Sequence, residues 1–456
     1  MPALRFRSAQ IVKWRRLTVV KTLPELTIAM PQASPFDVAG FVAFWRGCGA
    51  PKRILLAVSG GSDSMALLRI AADARRDAPF EIVAACVNHG LRESATTEAK
   101  QVSAWCHAID VPFRQLDWKG QKPITGIQAA ARNMRYRLLV AEAIRENCQA
   151  IMTGHTQDDL VETVLMRLQR RSGSRGLANM TSRFAIASGP SVSIPLERPL
   201  LTARRDELRR YLKNIGQSYV DDPSNDDIAY ERIRTRQSIQ KGEAEYDHID
   251  LVEMAYRSQE EMLLADQRES ARFKGLGGML FDWGGASLKS SALDLQSAAD
   301  IGVAARLIRA VGGDDYRRQD DDVFAALENA LLSSSATLGG VLIRKKKDAL
   351  WFIRESAALM GRAGVAPIAP IALQPGKTVL WDQRFLIENL SDFPATVTPW
   401  GRRDLDEAGS LPREAVASLP SVEIEGFLAE SPLDRRNCRF ISLLSERFDG
   451  RTIRFQ

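Results

Sequence analysis

Apolar positions along the first 170 residues fall into short continuous runs separated by segments of helical period. Arg53 to Val58 (RILLAV) and Phe80 to Val87 (FEIVAACV) show no polar alternation, which predicts strands buried on both faces. Pro112 to Trp118 and Ala150 to Thr153 predict two more strands. Between them, Met65 to Ala74, Thr97 to Ile109 and Ile127 to Asn147 predict helices, and another begins near Gln157. Strands alternating with helices predict an α/β fold: a doubly wound parallel sheet with right-handed crossovers. Such sheets bind ligands at the carboxyl ends of their strands.

After Thr202 the texture changes. Ala203 to Ile215 reads as a basic helix stopped by Gly216, Asp221 to Asp227 (DDPSNDD) as a loop, and Tyr230 to about Phe273 as mostly helical. Residues 300–334 add two helices. From Gly339 the run GVLIRKKKDALWFIRE reads as two strands joined by a charged turn around Lys346 to Asp348. Thr378 to Trp381 and Arg384 to Glu388 continue in the same manner. A chain of 456 residues exceeds what one core serves. The expected organisation is an extension over 1–35, the α/β domain over 36–228, a helical domain over 229–335 and a small mixed α+β domain over 336–456.

The extension is unusual. Residues 1–24 hold Arg5, Arg7, Lys13, Arg15, Arg16 and Lys21 and no acid. That composition resembles an organellar transit peptide, but serine is scarce there. A start at Met30 is the simpler expectation, leaving 1–30 poorly ordered. Ser34-Pro35 then precedes an amphipathic helix carrying Phe36, Phe41, Val42, Phe44 and Trp45.

Composition narrows the class. Hydrophobic content of 45% and charged content of 26% are those of a soluble globular protein. No apolar run approaches the roughly 20 residues that span a bilayer, so no integral membrane protein and no membrane partner is expected. The net charge of +6 is unevenly divided. Residues 1–240 carry 35 Lys and Arg against 23 acids, whereas residues 241–456 carry 27 against 33. A basic half suits a polyanion such as nucleic acid, though it equally describes a merely basic soluble protein. The five cysteines form no C-x-x-C pair, which argues against a disulfide framework or a zinc site.

Ser59-Gly60-Gly61-Ser62-Asp63-Ser64 lies between a buried strand and a helix start. Glycines there let the backbone close on a phosphate, while N–H groups and the helix dipole supply positive potential. Serine hydroxyls add donors, and Asp63 can hold Mg²⁺ against phosphate. There is no G-x-x-x-x-G-K-[ST]. An inconsequential serine-glycine turn would share this composition. The second stretch is Thr153-Gly154-His155-Thr156-Gln157-Asp158-Asp159-Leu160-Val161-Glu162-Thr163. If the helix begins by His155, then His155, Asp158 or Asp159, and Glu162 share a face opposite the apolar Leu160, Val161, Val164 and Leu165. A solvated acidic helix start is the alternative. His89, in Val87-Asn88-His89-Gly90-Leu91-Arg92, follows the second strand, on the side where such folds take nucleotide. Arg132 and Arg135, in Ala131-Arg132-Asn133-Met134-Arg135-Tyr136, are neighbours on a helix and can clamp negative charge.

Ser59 to Ser64 resembles the pyrophosphate loop, S-G-G-x-D-S, of the ATP pyrophosphatase (PP-loop) superfamily. The four stretches together resemble, in order and spacing, the tRNA-isoleucine lysidine synthetase family. The similarity continues through Arg170-Arg171-Ser172-Gly173-Ser174-Arg175-Gly176-Leu177, Arg198-Pro199-Leu200-Leu201 and Asp221-Asp222-Pro223-Ser224-Asn225 to Arg232, Arg234 and Arg236. It covers roughly residues 50–240, and TLGGVLIR (Thr337 to Arg344) looks like a family carboxy-terminal domain. Ile233 departs from the family, which usually has a polar residue there, commonly Asn.

The resemblance implies a cytoplasmic ligase that adenylates the 2-oxo oxygen of the wobble cytidine in a CAU-anticodon isoleucine tRNA, releasing pyrophosphate. Free lysine then displaces AMP. It implies ATP and Mg²⁺ as cofactors and allows a homodimer. Ser59, Gly60, Gly61, Ser62, Asp63 and Ser64, with His89, would bind the nucleotide, and Asp63 and Asp159 the metal. Asp158 and Glu162 would receive lysine's ammonium groups, Arg132 or Arg135 would steady the adenylated base, and His155 would assist proton removal. Arg170, Arg171, Arg175, Arg232, Arg234 and Arg236 would contact the tRNA backbone. Rival readings are a PP-loop cytidine 2-thiolase, which would need reactive cysteines, and a non-catalytic tRNA-binding protein with a degenerate loop.

Overall fold

Burial on both faces of the first strand sets the layout. The computed structural model describes residues 37–453 apart from 91–93, 124–125, 171, 179, 188–192, 222–230, 245, 315, 362–365, 402–410, 425–426, 429–432, 434, 436 and 450–451. The expected extension, Arg92, Arg171 and most of the DDPSNDD loop lie outside the described residues. In chain order the first unit contains α1 (Val38–Gly47), β1 (Arg53–Ala57), α2 (Ser62–Ala74), β2 (Glu81–Asn88), α3 (Ser94–Ala108), β3 (Phe113–Asp117) and α4 (Ile127–Arg145). It continues with β4 (Ala150–Thr153), α5 (Gln157–Gln169), α6 (Ser174–Leu177), β5 (Arg183–Ala187), β6 (Ser193–Glu197), α7 (Arg205–Asn214), α8 (Glu231–Gln240) and the first part of α9 (His248–Gly275).

The strands of this unit run in the order β5-β6-β4-β1-β2-β3. β1 pairs in parallel with β2 and with β4, β2 with β3, and β4 with β6. The expected doubly wound parallel sheet is present, with one antiparallel edge where β5 lies against β6. Neither of that edge's short segments, RFAIA and SIPLE, figures among the strands predicted from the sequence. Ile54 and Leu56 face a core with Phe41, Met65, Leu68, Val102 and Leu208, whereas Leu55 and Ala57 face one with Tyr136, Leu139, Val140 and Ile151. Helices therefore cover both faces. The chain leaves β1 for β2 on one side and returns from β3 to β4 on the other. The carboxyl ends of β1 and β4 thus flank a topological switch point.

A third core joins Leu160, Val161, Val164 and Leu165 of α5 to Leu251, Ala255 and Tyr256 of α9. The expected boundary at 229 is accordingly displaced: α8 and the start of α9 belong with the α/β unit, which runs to about residue 264. The boundary expected at 335 is also absent. In the second unit, from residue 265, α10 (Ala298–Gly312) and α11 (Asp320–Ser333) share one core with antiparallel strands, so 265–335 is no separate helical domain. Those strands are β7 (Met279–Leu280), β8 (Ala286–Lys289), β9 (Ser335–Leu338), β10 (Val341–Lys346) and β11 (Ala349–Arg354), in the order β7-β8-β11-β10-β9. Nearly every residue of α10 is buried, enclosed by the strands, by α11 and by the helix Leu444–Phe448. Further antiparallel strands between residues 371 and 442 enclose Trp381, Phe385, Val397 and Trp400.

The turns after β1 and β4 touch. A Cβ on Gly154 would stand 2.9 Å from the carbonyl oxygen of Asp63 and 3.0 Å from the Ser64 Cα, both backbone atoms. Gly154→Ala is therefore expected to destabilise the unit by about 1–3 kcal/mol, the usual cost of overpacking a fixed site. Thermal unfolding checks this, and an unchanged midpoint contradicts the close approach.

Candidate functional site

Gly60 lets the chain turn sharply out of β1, at φ +92° with its carbonyl accepting from Val220 N–H at 2.8 Å. Gly61 caps α2 without a side-chain acceptor, so no side chain takes up the helix's first N–H groups. The loop is fastened from within. The Ser64 hydroxyl accepts from the Ser59 N–H at 3.1 Å and donates to the Gly61 carbonyl at 3.0 Å, while Ser62 Oγ donates to Asp63 Oδ1 at 2.9 Å.

α5 begins at Gln157, two residues later than the shared-face reading requires, with Thr156 as its cap. Asp159 closes a capping box, its Oδ2 accepting from Thr156 N–H at 2.7 Å. This leaves Oδ1 for Arg205 Nη2 at 3.1 Å and Arg232 Nη2 at 2.9 Å. The Arg205 guanidinium also reaches Asp63 Oδ2 at 3.0 Å and Glu162 Oε1 at 3.4 Å. Its backbone N–H donates to Asp158 Oδ2 at 2.8 Å, and Gln157 N–H donates to the Ala203 carbonyl at 2.9 Å. The amino ends of α5 and α7 are thereby interlocked. Glu162, 1% exposed, takes further bonds from Arg232 Nε and Arg236 Nε, each at 2.7 Å.

Three acids and three arginines form one partly buried, charge-balanced cluster around the buried Glu162, as the cost of desolvating lone charges requires. Burial alone would raise the Asp159 carboxyl, but Arg232 and Arg205 override it and push it down to about 2. Asp63 is raised, since burial and repulsion from Asp159 outweigh Arg205 and Ser62. Burial opposes the charge of Arg205, yet Asp159, Asp63 and Glu162 lift it above an arginine's ordinary value.

Two cavities open here and share Ala57, Ser59 and Arg135. One, of about 340 Å³, is lined by Gly61 to Ser64, His155, Asp159, Arg205, Arg232 and Arg236 among others. The second, of about 220 Å³, is more apolar, with Val58, Cys86, Val87, His89 and Glu98 in its wall. The His89 ring meets Trp118 edge-on at 6.0 Å, and its Nδ1 is buried without a hydrogen-bond partner among the described residues.

The sequence-predicted residues therefore divide. Ser59, Gly61 to Ser64, His89, Arg135, His155 and Asp159 come together at the two cavities, whereas Gly60 lines neither. Arg132 lies with its Cζ 5.2 Å from the centre of the Tyr136 ring. Asp158 and Glu162 line neither cavity, their oxygens being directed to Arg205 and, for Glu162, to all three arginines. Arg232, expected on tRNA phosphates, bonds to Asp159 and Glu162, and Arg236, expected there too, bonds to Glu162. Arg170 pairs with Glu231, Arg234 is exposed on α8 and Arg175 is half-buried on α6. Ile233 is buried, as an apolar residue at that place on α8 requires. The ordinary imidazole pKa, on which a proton-removing role for His155 rests, does not survive burial. Burial first, then Arg198, pushes it down to about 3 despite Asp159. Its Nδ1 lies 2.8 Å from Thr153 Oγ1.

Sequence reasoning missed Arg205, which read only as part of a basic helix, and Cys86, which read as a small core residue. Cys86 lines the more apolar cavity, but burial pushes its thiol up to about 11, so it stays protonated at neutral pH.

The depressed pKa of His155 has a signed consequence. Between about 3 and its ordinary value near 6.5 the unfolded chain binds the proton that the folded chain refuses, so stability is present above that window and falls as pH drops through it. His155→Gln is expected to flatten this part of the pH profile of the unfolding midpoint. A profile unchanged by the substitution contradicts a buried, neutral ring.

Comparison with known proteins agrees with this geometry. The PP-loop domain family matches residues 43–243. The tRNA(Ile)-lysidine synthase of Brucella anthropi is 34% identical over 400 residues, spanning 83% of this chain and 84% of that protein. The synthase of Brucella ovis is 33% identical over 79% of each chain, and that of Rhizobium meliloti 44% identical over 43% of this chain and 45% of its own. Among solved structures, the U34-tRNA thiolase NcsA from Methanococcus maripaludis, with its [4Fe-4S] cluster, overlaps at a TM-score of 0.39 and 18% identity. It covers 46% of this chain and 72% of its own, an overlap too loose to bear on this chain's chemistry. With one-third identity sustained across more than four-fifths of a curated relative and a PP-loop where the first strand ends, the chain belongs to the tRNA(Ile)-lysidine synthase family.

Proposed function

We propose that the protein is a cytoplasmic enzyme that ligates free lysine to carbon 2 of the wobble cytidine in a CAU-anticodon isoleucine tRNA, converting ATP to AMP and pyrophosphate. The observation that carries this reading is the contact between the turns after β1 and β4, which sets a polar, cation-lined cavity against a more apolar one. The division suits ATP, with pyrophosphate at Gly60 to Ser64 and the adenosine beside His89. The free N–H groups at the start of α2 and the hydroxyls of Ser62 and Ser64 would hold phosphate oxygens. Donors placed in advance stabilise the charge that develops as the cytidine 2-oxo oxygen attacks the α-phosphorus and pyrophosphate leaves. The lysine amine then attacks carbon 2 and expels AMP, and the amine's proton is released.

Mg²⁺ fits the residues present. Asp63 Oδ2 and Asp159 Oδ1 already converge on one positive group at 3.0 and 3.1 Å, and this ion commonly takes one or two carboxylates together with substrate phosphates. When bound, it would neutralise part of the phosphate charge. Arg135, which borders both cavities, is placed to steady the adenylated base, with Arg132 beside it. Of the two acids expected to receive lysine's ammonium, Glu162 is spent on three guanidinium groups. That leaves Asp158, outside both cavities and holding only the Arg205 backbone N–H among the described residues, as the one to bind it. His155 acts as a neutral hydrogen-bonding group and not as the base. Arg170, Arg171, Arg175 and Arg234 remain assigned to the tRNA backbone, whose phosphates favour guanidinium donors. The protonated state of Cys86 weighs against a thiolase.

Incubation with ATP, labelled lysine and total tRNA is expected to label isoleucine tRNA alone. Asp63→Ala should lower the rate by about a hundredfold or more, as loss of a charge-placing group does, while tRNA binding persists. Normal lysidine formation by that variant contradicts the loop assignment.

A further inference from the structure

The arginine at the start of α7 occupies the middle of the acidic cluster, and each of its three guanidinium nitrogens meets a different carboxylate. Nε takes Asp63, Nη2 takes Asp159 and Nη1 takes Glu162, at 3.0, 3.1 and 3.4 Å. The three acids come from two separate elements, α2 and α5, so this one side chain ties the pyrophosphate loop to the acidic helix. Its own main chain is anchored independently by Asp158.

The other partners of these acids are unequal. Asp159 also has Arg232, and Glu162 has both Arg232 and Arg236. Asp63 has its ion pair with Arg205 alone among the described residues. If the guanidinium swung away, Asp159 and Glu162 would remain paired and Asp63 would be released. We propose that Arg205 is a built-in counter-cation that holds the place of a divalent metal ion, and that metal enters with nucleotide by displacing this guanidinium from Asp63.

Charge balance explains why the two would enter together. The three carboxylates and three guanidinium groups of the cluster cancel. Arg135 and Arg209 border the same cavity against Asp221, so a dication alone would leave the site with an excess of positive charge. A metal–nucleotide pair brings its own anions and avoids that excess. The displaced guanidinium, a planar fork of donors, then has phosphate oxygens within reach in the same cavity. Arg205 is on this account a positioning residue, which keeps Asp63 and Asp159 apart from solvent ions until substrate arrives. The inference rests on the pyrophosphate reading of the loop.

Mn²⁺ is the probe, because its bound fraction is read directly by electron paramagnetic resonance without any turnover. In the full chain without nucleotide, Arg205→Met is expected to tighten Mn²⁺ binding by about tenfold or more, since a neighbouring positive charge is removed. Arg205→Lys keeps a charge but cannot bridge three carboxylates, so a smaller tightening is expected. It serves if the methionine variant does not fold. For the wild-type chain, α,β-methylene-ATP is expected to tighten Mn²⁺ binding, and to do so less in Arg205→Met. Unchanged or weaker Mn²⁺ binding in a folded Arg205 variant overturns the inference, as does equal enhancement by nucleotide in both proteins. Failure of the wild-type chain to bind α,β-methylene-ATP at all would instead overturn the pyrophosphate reading, so the two fail separately.

Discussion

The structure depends on one electrostatic constraint: Asp63, Asp159 and Glu162 are buried close together and need cations to match them. Removing such groups from water costs several kcal/mol each unless partners compensate. Arg205, Arg232 and Arg236 supply that compensation from α7 and α8, elements remote in sequence from the loops they serve. The same bonds turn one face of each of those helices towards the acids at the sheet's carboxyl edge. The charge cluster is therefore an organiser of the α/β unit as well as a feature of its cavity. Its neutrality is conditional, since any bound anion or metal ion must redistribute the pairs.

Backbone geometry makes the cluster reachable. β1 is buried on both faces and flanked by parallel neighbours, so its polar exit residues can emerge only at the carboxyl end, beside those of β4. Gly154 removes the side chain that would hold the two turns apart, and Gly60 allows the loop to fold back beneath Val220. The amino ends of α2, α5 and α7 then lie around one cavity. Their partial positive charge adds to that of the arginines. On the proposed reading, a triphosphate would meet donors already in place and an adenosine would meet the less polar pocket that contains His89.

Much of this was legible in the residues because the signals were local. Continuous apolar runs disclosed β1, β2 and β4, and Ser59 to Ser64 and His155 to Glu162 stood at their ends. The β5–β6 edge was not legible, because its exposure follows from its place in the sheet and not from composition. The grouping of α10 and α11 with later strands was hidden for a related reason: a shared core is a property of tertiary contacts. Arg205 escaped notice in a run of basic residues, where Arg204, Arg209 and Arg210 look the same in sequence. Only the interlock of α5 and α7 singles it out. The pKa of His155 likewise depends on the guanidinium groups around it, which its neighbours in sequence do not reveal.

The account is tested most directly by isotope exchange between labelled pyrophosphate and ATP in the presence of isoleucine tRNA and the absence of lysine. Reversible transfer of AMP to the nucleobase predicts that label enters ATP, and that omitting the tRNA abolishes the exchange. Cleavage of ATP to ADP and phosphate, with no label recovered in ATP, would contradict it.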